Sequence, residues 1–325
     1  MTDTQGRVTL WGIEVFLAAA EEGSITAAAR RLGVSPSAIS QQLSGLEASL
    51  GGAALLDRAA RPMGVTPAGG MFRRHAQTIL NAASEARAEL AMADLSSLTT
   101  LRLGMIEDFD GNVTPHLLTQ MAEELRGCQF LLETGASHRL LDQLEGRALD
   151  VVVAADMGAG FDGGDWMEAH PLLSEPFLAV APRGQIDQHG DVAAQLLDMP
   201  LIQYTARHHM GRQIAAHLAS QNLRLTHRFE LDSYHAILAM VAGRAGWSIL
   251  TPLGVMHAAP FLDAVDVLPV PFAPLSRRIT LSARAGVLHD MPVRMAALLR
   301  PLLQARVVDP ALARMPWLEK DLRVL

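Results

Sequence analysis

The chain has 325 residues, half of them apolar, with 27 basic and 34 acidic side chains and a formal net charge of -7. That length suits two or three domains of ordinary size, and the apolar share supports buried cores over a disordered chain. No apolar run reaches the ~20 residues a bilayer span needs, and the polar stretch Met1 to Arg7 lacks a basic-then-apolar secretion leader. Cys128 is the only cysteine, which excludes an intramolecular disulfide and a cysteine-rich metal site. A soluble, cytoplasmic protein with no membrane partner is expected. The charge balance argues mildly against nucleic acid. Residues 1–66 hold five arginines against six acidic residues, whereas phosphate binding usually draws on a basic surplus.

The first elements are short helices with tight breaks. Leu10, Ile13, Phe16, Leu17 and Ala20 repeat at helical spacing up to Gly23. Ser24 is placed to cap a helix over Thr26 to Leu32. Gly33 turns the chain, Ser35 is the next N-cap, and Pro36 takes the favoured first helical position. The third helix carries Ile39, Leu43, Leu46 and Leu50 on one face and stops at Gly51-Gly52, and the segment Leu55 to Thr66 suits a β-hairpin wing. From Pro67 to about Ala93 a long helix is predicted. Phe72, Ala76, Ile79, Ala83, Ala86, Leu90 and Ala93 alternate at spacings of four and three, a heptad seam. It suits packing on its own domain or, preferably, pairing with a second copy.

After the break at Leu95 to Thr100 the pattern changes. Apolar strand-like runs at 101–106, 129–132, 150–155, 177–181, 200–204, 248–250 and 279–283 alternate with helical stretches at 114–126, 137–146, 211–221 and 233–244. This predicts an α/β fold with a largely parallel sheet. Residues Ala305 to Leu325, with Trp317, read as a tail that packs back.

The string Gly23-Ser24-Ile25-Thr26-Ala27-Ala28-Ala29-Arg30-Arg31-Leu32-Gly33-Val34-Ser35-Pro36-Ser37-Ala38-Ile39-Ser40-Gln41-Gln42-Leu43 resembles the LysR-type transcriptional regulator family. The match continues through Leu46-Glu47, Leu50-Gly51, Leu55-Leu56-Asp57-Arg58 and Thr66-Pro67-Ala68-Gly69. In the second half Leu101-Arg102-Leu103-Gly104, Leu149 to Val153, Ser174-Glu175-Pro176-Phe177 and Val241 to Pro252 fall where that family has comparable strings. The resemblance, over about residues 8–303, implies a winged helix-turn-helix at 1–66 and a linker dimerisation helix at 67–95. It also implies a two-lobed effector domain at 99–303, like periplasmic binding proteins, with a tail at 304–325. Lobe one takes 99–173 and 273–303, and lobe two takes 174–272. The implied partners are double-stranded promoter DNA, a small-molecule effector and further copies of the chain, as a dimer of dimers, with RNA polymerase contact left open.

A recognition helix presents its first turns to base edges. Ser35, Ser37, Ser40, Gln41 and Gln42 fit that role, since Gln bonds adenine bidentately and Ser donates or accepts. Solvent exposure is the ordinary explanation for such residues elsewhere. Arg30, Arg31, Arg58 and Arg61 are candidate phosphate or minor-groove contacts, Arg58 at the wing foremost. Many relatives carry a basic residue at the positions of Gln41 and Gly45, and this chain departs from them.

Relatives commonly bind ligand in the loop after the first effector strand, often through a hydroxyl residue; this chain reads Glu107-Asp108-Phe109-Asp110. Three carboxylates there suit either a solvated loop or a cationic ligand. Thr134, Ser137 and His138 begin the next helix, a place suited to anions. Thr205, Arg207 and His208 follow a later strand, where Arg207 can clamp a carboxylate. A zwitterion satisfies both ends. Trp247 borders the cleft or fills a core. His208, His209, His217 and His227 form no metal-ligand pattern, and Cys128 reads as structural more than redox-active. No nucleophile elbow, Walker loop or dinucleotide fingerprint is present, so no catalysis, metal or cofactor is expected. The rival reading is a small-molecule binding protein or enzyme whose N-terminal helices mediate assembly, supported by the low basic charge.

Overall fold

Thr9 opens the first helix, α1 (Leu10–Glu22), its hydroxyl accepting from the Gly12 amide at 3.0 Å. Gly23 ends the helix at φ 60°, in the left-handed region glycine tolerates. Ser24 caps α2 (Ile25–Leu32), and Ser35, followed by Pro36, caps α3 (Pro36–Ser49). The Ser24 and Ser35 caps are the ones the sequence predicts, because a short polar side chain answers amides the helix leaves unpaired. Strands β1 (Leu56–Asp57) and β2 (Gly64–Val65) pair antiparallel as a wing, and α4 (Pro67–Leu90) follows. The computed structural model describes residues 7–90, 98–156, 166–223, 225 and 227–325. Two compact units result: Met1–Ser97 with Gly146–Ala148, and Leu98–Glu145 with Leu149–Leu325.

The first unit closes over Ile13, Phe16, Ala28, Ile39, Leu43, Leu46 and Leu55. Here the predicted seam on α4 divides. Phe72 stacks on Phe16 with ring centroids 5.4 Å apart, and Ala76 is fully buried in the same core. Ile79 and Ala86 are exposed and Ala83 is half-buried. The first two seam positions therefore serve their own domain, leaving only later positions for a second copy. The Leu90 side chain, Ala93 and the predicted end of the linker at 91–95 lie outside the described residues.

The second unit contains two lobes. Chain order runs β3 (Thr100–Met105), α5 (Thr114–Glu124), β4 (Gln129–Thr134), α6 (Ser137–Glu145), β5 (Val151–Ala155), β6 (Met167–Pro176) and β7 (Leu178–Pro182). It continues through α7 (Val192–Leu197), β8 (Leu201–Tyr204), α8 (His209–Ser220), β9 (His227–Leu231), α9 (Tyr234–Ala242), β10 (Ser248–Leu250), α10 (Pro252–His257) and β11 (Val265–Pro269). Last come β12 (Ser276–Arg284), α11 (Met291–Leu303), α12 (Asp309–Arg314) and β13 (Arg323–Val324). Among the described residues, one lobe is built on a six-stranded sheet of order β13-β6-β12-β5-β3-β4. The other holds a three-stranded sheet, β10-β7-β11, and the pair β8-β9.

The sheets are mixed, which corrects the expectation of a largely parallel one. Only β3 with β4 and β5, and β8 with β9, run parallel. β6 carries the chain out of the first lobe and β12 brings it back, so these two pair antiparallel, as do their other neighbours. An outgoing and a returning strand pair this way without a crossover helix. The ten-residue β6 is not predicted because Pro171, Ser174 and Glu175 interrupt its apolar pattern. The tail does pack back, burying Leu318 and Leu322 and adding β13 against Leu173 and Ser174 of β6.

One glycine fixes the start of α8 beside the cleft. A Cβ on Gly211 would lie 2.1 Å from the Thr205 carbonyl oxygen. Gly211→Ala is expected to destabilise the effector unit by about 1–3 kcal/mol through overpacking, read as a lower melting temperature, with α1 to α3 unaffected.

Candidate functional sites

On α3 the buried residues Ile39, Leu43 and Leu46 set the inner face, and Ser37, Gln41, Ser44, Gly45 and Ala48 form an exposed stripe opposite. The spacing follows from 3.6 residues per turn. Ser37 and Gln41 stand on this stripe, while Gln42 is half-buried at its edge. Ser35 is occupied as the cap, accepting from the Ala38 amide at 3.2 Å, with its oxygen 2.9 Å from the Ser37 hydroxyl. Ser40 donates back to the Pro36 carbonyl at 3.1 Å, so its hydroxyl serves the helix. Ser44 is a polar member of the stripe that sequence reasoning missed; helical spacing from Ser37 and Gln41 was the available signal.

The cations divide similarly. Arg58 donates to Glu47 at 2.6 Å and approaches the Ser44 hydroxyl at 3.4 Å. Glu47 also accepts from the Leu55 amide at 2.9 Å, so one carboxylate joins α3 to the wing. Arg58 thus positions the wing and does not stand as an unpaired wing-tip charge. Arg31 is held by Glu21 at 2.6 Å and Glu22 at 3.4 Å, and the Glu21 hydrogen bond raises its pKa. Arg61 is exposed and bonds backbone carbonyls of Arg58 and Ala60. Arg30 is exposed, with no ion pair among the described residues. Of the four candidate arginines, Arg30 and Arg61 are the two with no carboxylate partner among the described residues.

In the second unit a cavity of about 40 Å³ sits between the lobes, room for about three waters at ~10–15 Å³ each. The first lobe lines it with Glu107 and Asp108 from a single 3₁₀ turn, with Gly135 to Ser137, and with Ala155. The second lobe supplies Tyr204, His208, His209, Met210 and Tyr234, and Arg277 arrives on the returning strand. A wider groove of about 480 Å³ along β12 shares Ala155, Gln213 and Arg277 with it.

Arg277 organises the cleft. Its Nε donates to Glu175 at 2.6 Å, one Nη to Asp108 at 3.4 Å and Thr251 at 3.2 Å, and the other to the Met210 sulfur at 3.5 Å. All three charged groups are buried. Burial works against the guanidinium charge, yet Glu175 and Asp108 hold its pKa well above the ordinary value. Burial raises Glu175, opposed by Arg277, and burial with the Asp108 carboxylate raises Glu107. His208 Nδ1 lies 3.3 Å from the Tyr204 hydroxyl, and the ring faces His138 of the other lobe with centroids 6.0 Å apart. Burial lowers the pKa of His138, His208 and His209, with Arg212, Arg139 and Arg207 adding to it among them.

Of the residues singled out from sequence, Glu107, Asp108, Ser137 and His208 meet at the cavity. The others do not line it. Phe109 and Trp247 are fully buried core side chains, the Trp247 ring lying tilted against Phe272 with centroids 6.4 Å apart. Asp110 accepts from Thr134 at 3.1 Å on the exposed rim. Thr205 is buried and donates to Glu230 at 2.6 Å, while the Arg207 Nε points back to Thr205. His138 reaches the site only through His208. The largest omission is Arg277. Its signal lay in the alternation: Arg277 shares the inward face with Ile279, Leu281 and Ala283, a charged residue on an apolar strand face. Among the described residues no group of three His, Cys, Asp or Glu side chains is arranged to hold a metal.

Arg277→Met is expected to cost about 3–5 kcal/mol, because it strands two buried carboxylates; chemical unfolding of the effector unit checks this. The histidines give a pH prediction. Their folded pKa values lie below the unfolded value of ~6.5, so the unfolded chain binds more protons as pH falls below 7, and stability falls with it. The drop in melting temperature between pH 7.5 and 5.5 is expected to shrink in a His138→Asn, His208→Asn double variant.

Comparison with known proteins agrees with this arrangement. Residues 10–70 match the model of the bacterial regulatory helix-turn-helix protein, lysR family, and residues 96–317 match the LysR substrate binding domain. A probable hydrogen peroxide-inducible genes activator of Mycobacterium xenopi is 34% identical over 184 residues, 57% of this chain and 95% of that protein. The regulator DgdR of Burkholderia cepacia is 28% identical over 256 residues, 78% of this chain and 81% of its own. A full-length OxyR variant from Pseudomonas aeruginosa superposes with TM-score 0.64 at 25% identity, covering 90% of this chain and 98% of that one. The regulator CbnR bound to its target DNA shares the fold, with TM-score 0.59 at 20% identity over 91% of this chain and all of that one. With both family models matched across most of its length, the chain belongs to the LysR family of DNA-binding transcriptional regulators.

Proposed function

We propose that the chain reads promoter DNA through the exposed stripe of α3 and that a small molecule in the cleft beside Arg277 controls this binding. The observation that carries the proposal is the stripe: Ser37, Gln41 and Ser44 stand exposed on a helix whose opposite face is sealed in a capped core. In this reading Ser37, Gln41 and Gln42 contact bases and Arg30 and Arg61 contact phosphates. Polar base contacts then carry specificity, and the few free cations give a shallow salt dependence. Copies of the chain pair through the later positions of α4, Ile79 onward, and assemble further as dimers of dimers. Contact with RNA polymerase belongs to the same proposal.

The match to the LysR family models supports a cytoplasmic regulator without catalytic activity. The cleft holds no serine or cysteine nucleophile bonded to a histidine among the described residues. No described helix is long and apolar enough to cross a membrane. The peroxide-inducible description belongs to the mycobacterial relatives. In this chain Cys128 is the only cysteine, and burial pushes its thiol pKa up, away from the reactive thiolate. An intrachain disulfide switch is thereby ruled out, which favours a bound effector.

A nuclease footprint on the DNA upstream of the chain's own gene tests the proposal. Protection is expected, weakened about 5- to 150-fold by Ser37→Ala with Gln41→Ala, as for loss of base contacts worth ~1–3 kcal/mol. Absence of protection at every salt concentration contradicts it.

A further inference from the structure

We propose that the groove along β12 seats the body of the effector, and that it takes an uncharged ring compound with hydroxyl groups on opposite sides of the ring. The proposal rests on the effector reading above and names the class of ligand and the surface it lies on.

The groove is the larger of two adjoining spaces. The cavity of about 40 Å³ beside Asp108 and Tyr204 holds only a few waters. The groove, of about 480 Å³, falls among small-molecule sites of ~300–1,000 Å³. It runs over the first lobe's sheet where β12 lies between β5 and β6. Its floor is made of small side chains. Thr280 and Ser282 stand two residues apart on β12, with Ala154 of β5 opposite Thr280 and Ala169 of β6 opposite Ser282.

The two hydroxyls on that floor point to a ligand. Thr280 is 6% exposed and Ser282 5%, and both line the groove. The Thr280 hydroxyl has no hydrogen-bond partner, and none reaches the Ser282 hydroxyl among the described residues. A buried hydroxyl left unpaired carries a cost that an apolar side chain of the same shape avoids. A strand face that could hold valine and alanine thus keeps two unmet polar groups. They stand about 7 Å apart, two strand steps. Hydroxyl groups carried on opposite sides of a six-membered ring span a similar distance, and Leu141, Met167 and Pro171 give the ring apolar walls.

Charge selects against ions. The floor carries no ionised group. Of the charged residues along the groove, Arg277 is committed to Glu175 and Asp108. Asp156 and Arg278 stand together with opposite signs, the Asp156 amide donating to the Arg278 carbonyl at 2.9 Å. An ion laid on hydroxyl and methyl groups would lose water without gaining a counter-charge.

Calorimetric titration of the full-length protein with para-benzenedimethanol, para-methylbenzyl alcohol, para-hydroxymethylbenzoate and para-hydroxymethylbenzylammonium tests the class. The diol is expected to bind saturably, at least tenfold more tightly than the mono-alcohol or either ion. Thr280→Val with Ser282→Ala is expected to weaken diol binding at least tenfold, while the unliganded variant melts no lower than the wild type because it gives up two unmet hydroxyls. Ala169→Leu, at an exposed position on the groove, is expected to abolish binding by filling it. No saturable binding of the diol, an ion bound as tightly, or diol binding unchanged in the hydroxyl-free variant overturns the proposal. The effector reading is tested apart, by a footprint with and without saturating diol. Saturable binding with an unchanged footprint contradicts that reading and supports the groove as a binding site.

Discussion

The buried pairing of Arg277 with Glu175 and Asp108 is the constraint on which the effector unit depends. It joins three pieces of chain distant in sequence: the turn after β3, the end of outgoing β6 and the start of returning β12. These segments meet where the chain passes between lobes. A guanidinium buried there has to be matched in direction as well as charge, which its planar fork allows and a lysine would not. The pairing therefore fixes how the lobes approach and what charge remains in the cleft. Asp108 and Glu175 are both committed to Arg277, whereas Glu107 lines the cavity from an exposed position.

A parallel arrangement governs the DNA-reading head at smaller scale. Glu47 accepts from Arg58 and from the Leu55 amide, so the exposed stripe of α3 and the wing are held by one carboxylate. Arg31 is likewise tied to Glu21 and Glu22. The head has no basic surplus, and ion pairing commits part of its charge to holding its own elements together. Several of its charges are structural, and the proposed reading leaves base discrimination to polar side chains on the stripe.

Much of this was legible in the sequence. The helix caps Ser24 and Ser35, the breaks at Gly23 and Gly33 and the inward face of Ile39, Leu43 and Leu46 are local signals, each readable within a few residues. The cleft was only half legible because its residues converge from separate strands. Glu107 and Asp108 were visible as a charge run, but only Asp108 is buried and claimed by Arg277, some 170 positions away. Trp247 shows the converse failure: an aromatic beside a glycine turn suggests a cleft wall, yet its ring is consumed by the core beside Phe272. The α4 seam was periodic throughout, but periodicity does not say that Phe72 would be claimed by Phe16.

Control of DNA binding by the cleft is tested most directly by filling its cavity without any ligand. Ala136 lines the cavity and is only half-buried, so Ala136→Phe places a ring in the cleft while keeping the Arg277 pairing. A nuclease footprint of this variant on the upstream DNA, beside the wild type, should show protection in both with a changed extent or pattern of cleavage. Identical footprints from a folded variant would contradict control of DNA binding by the cleft.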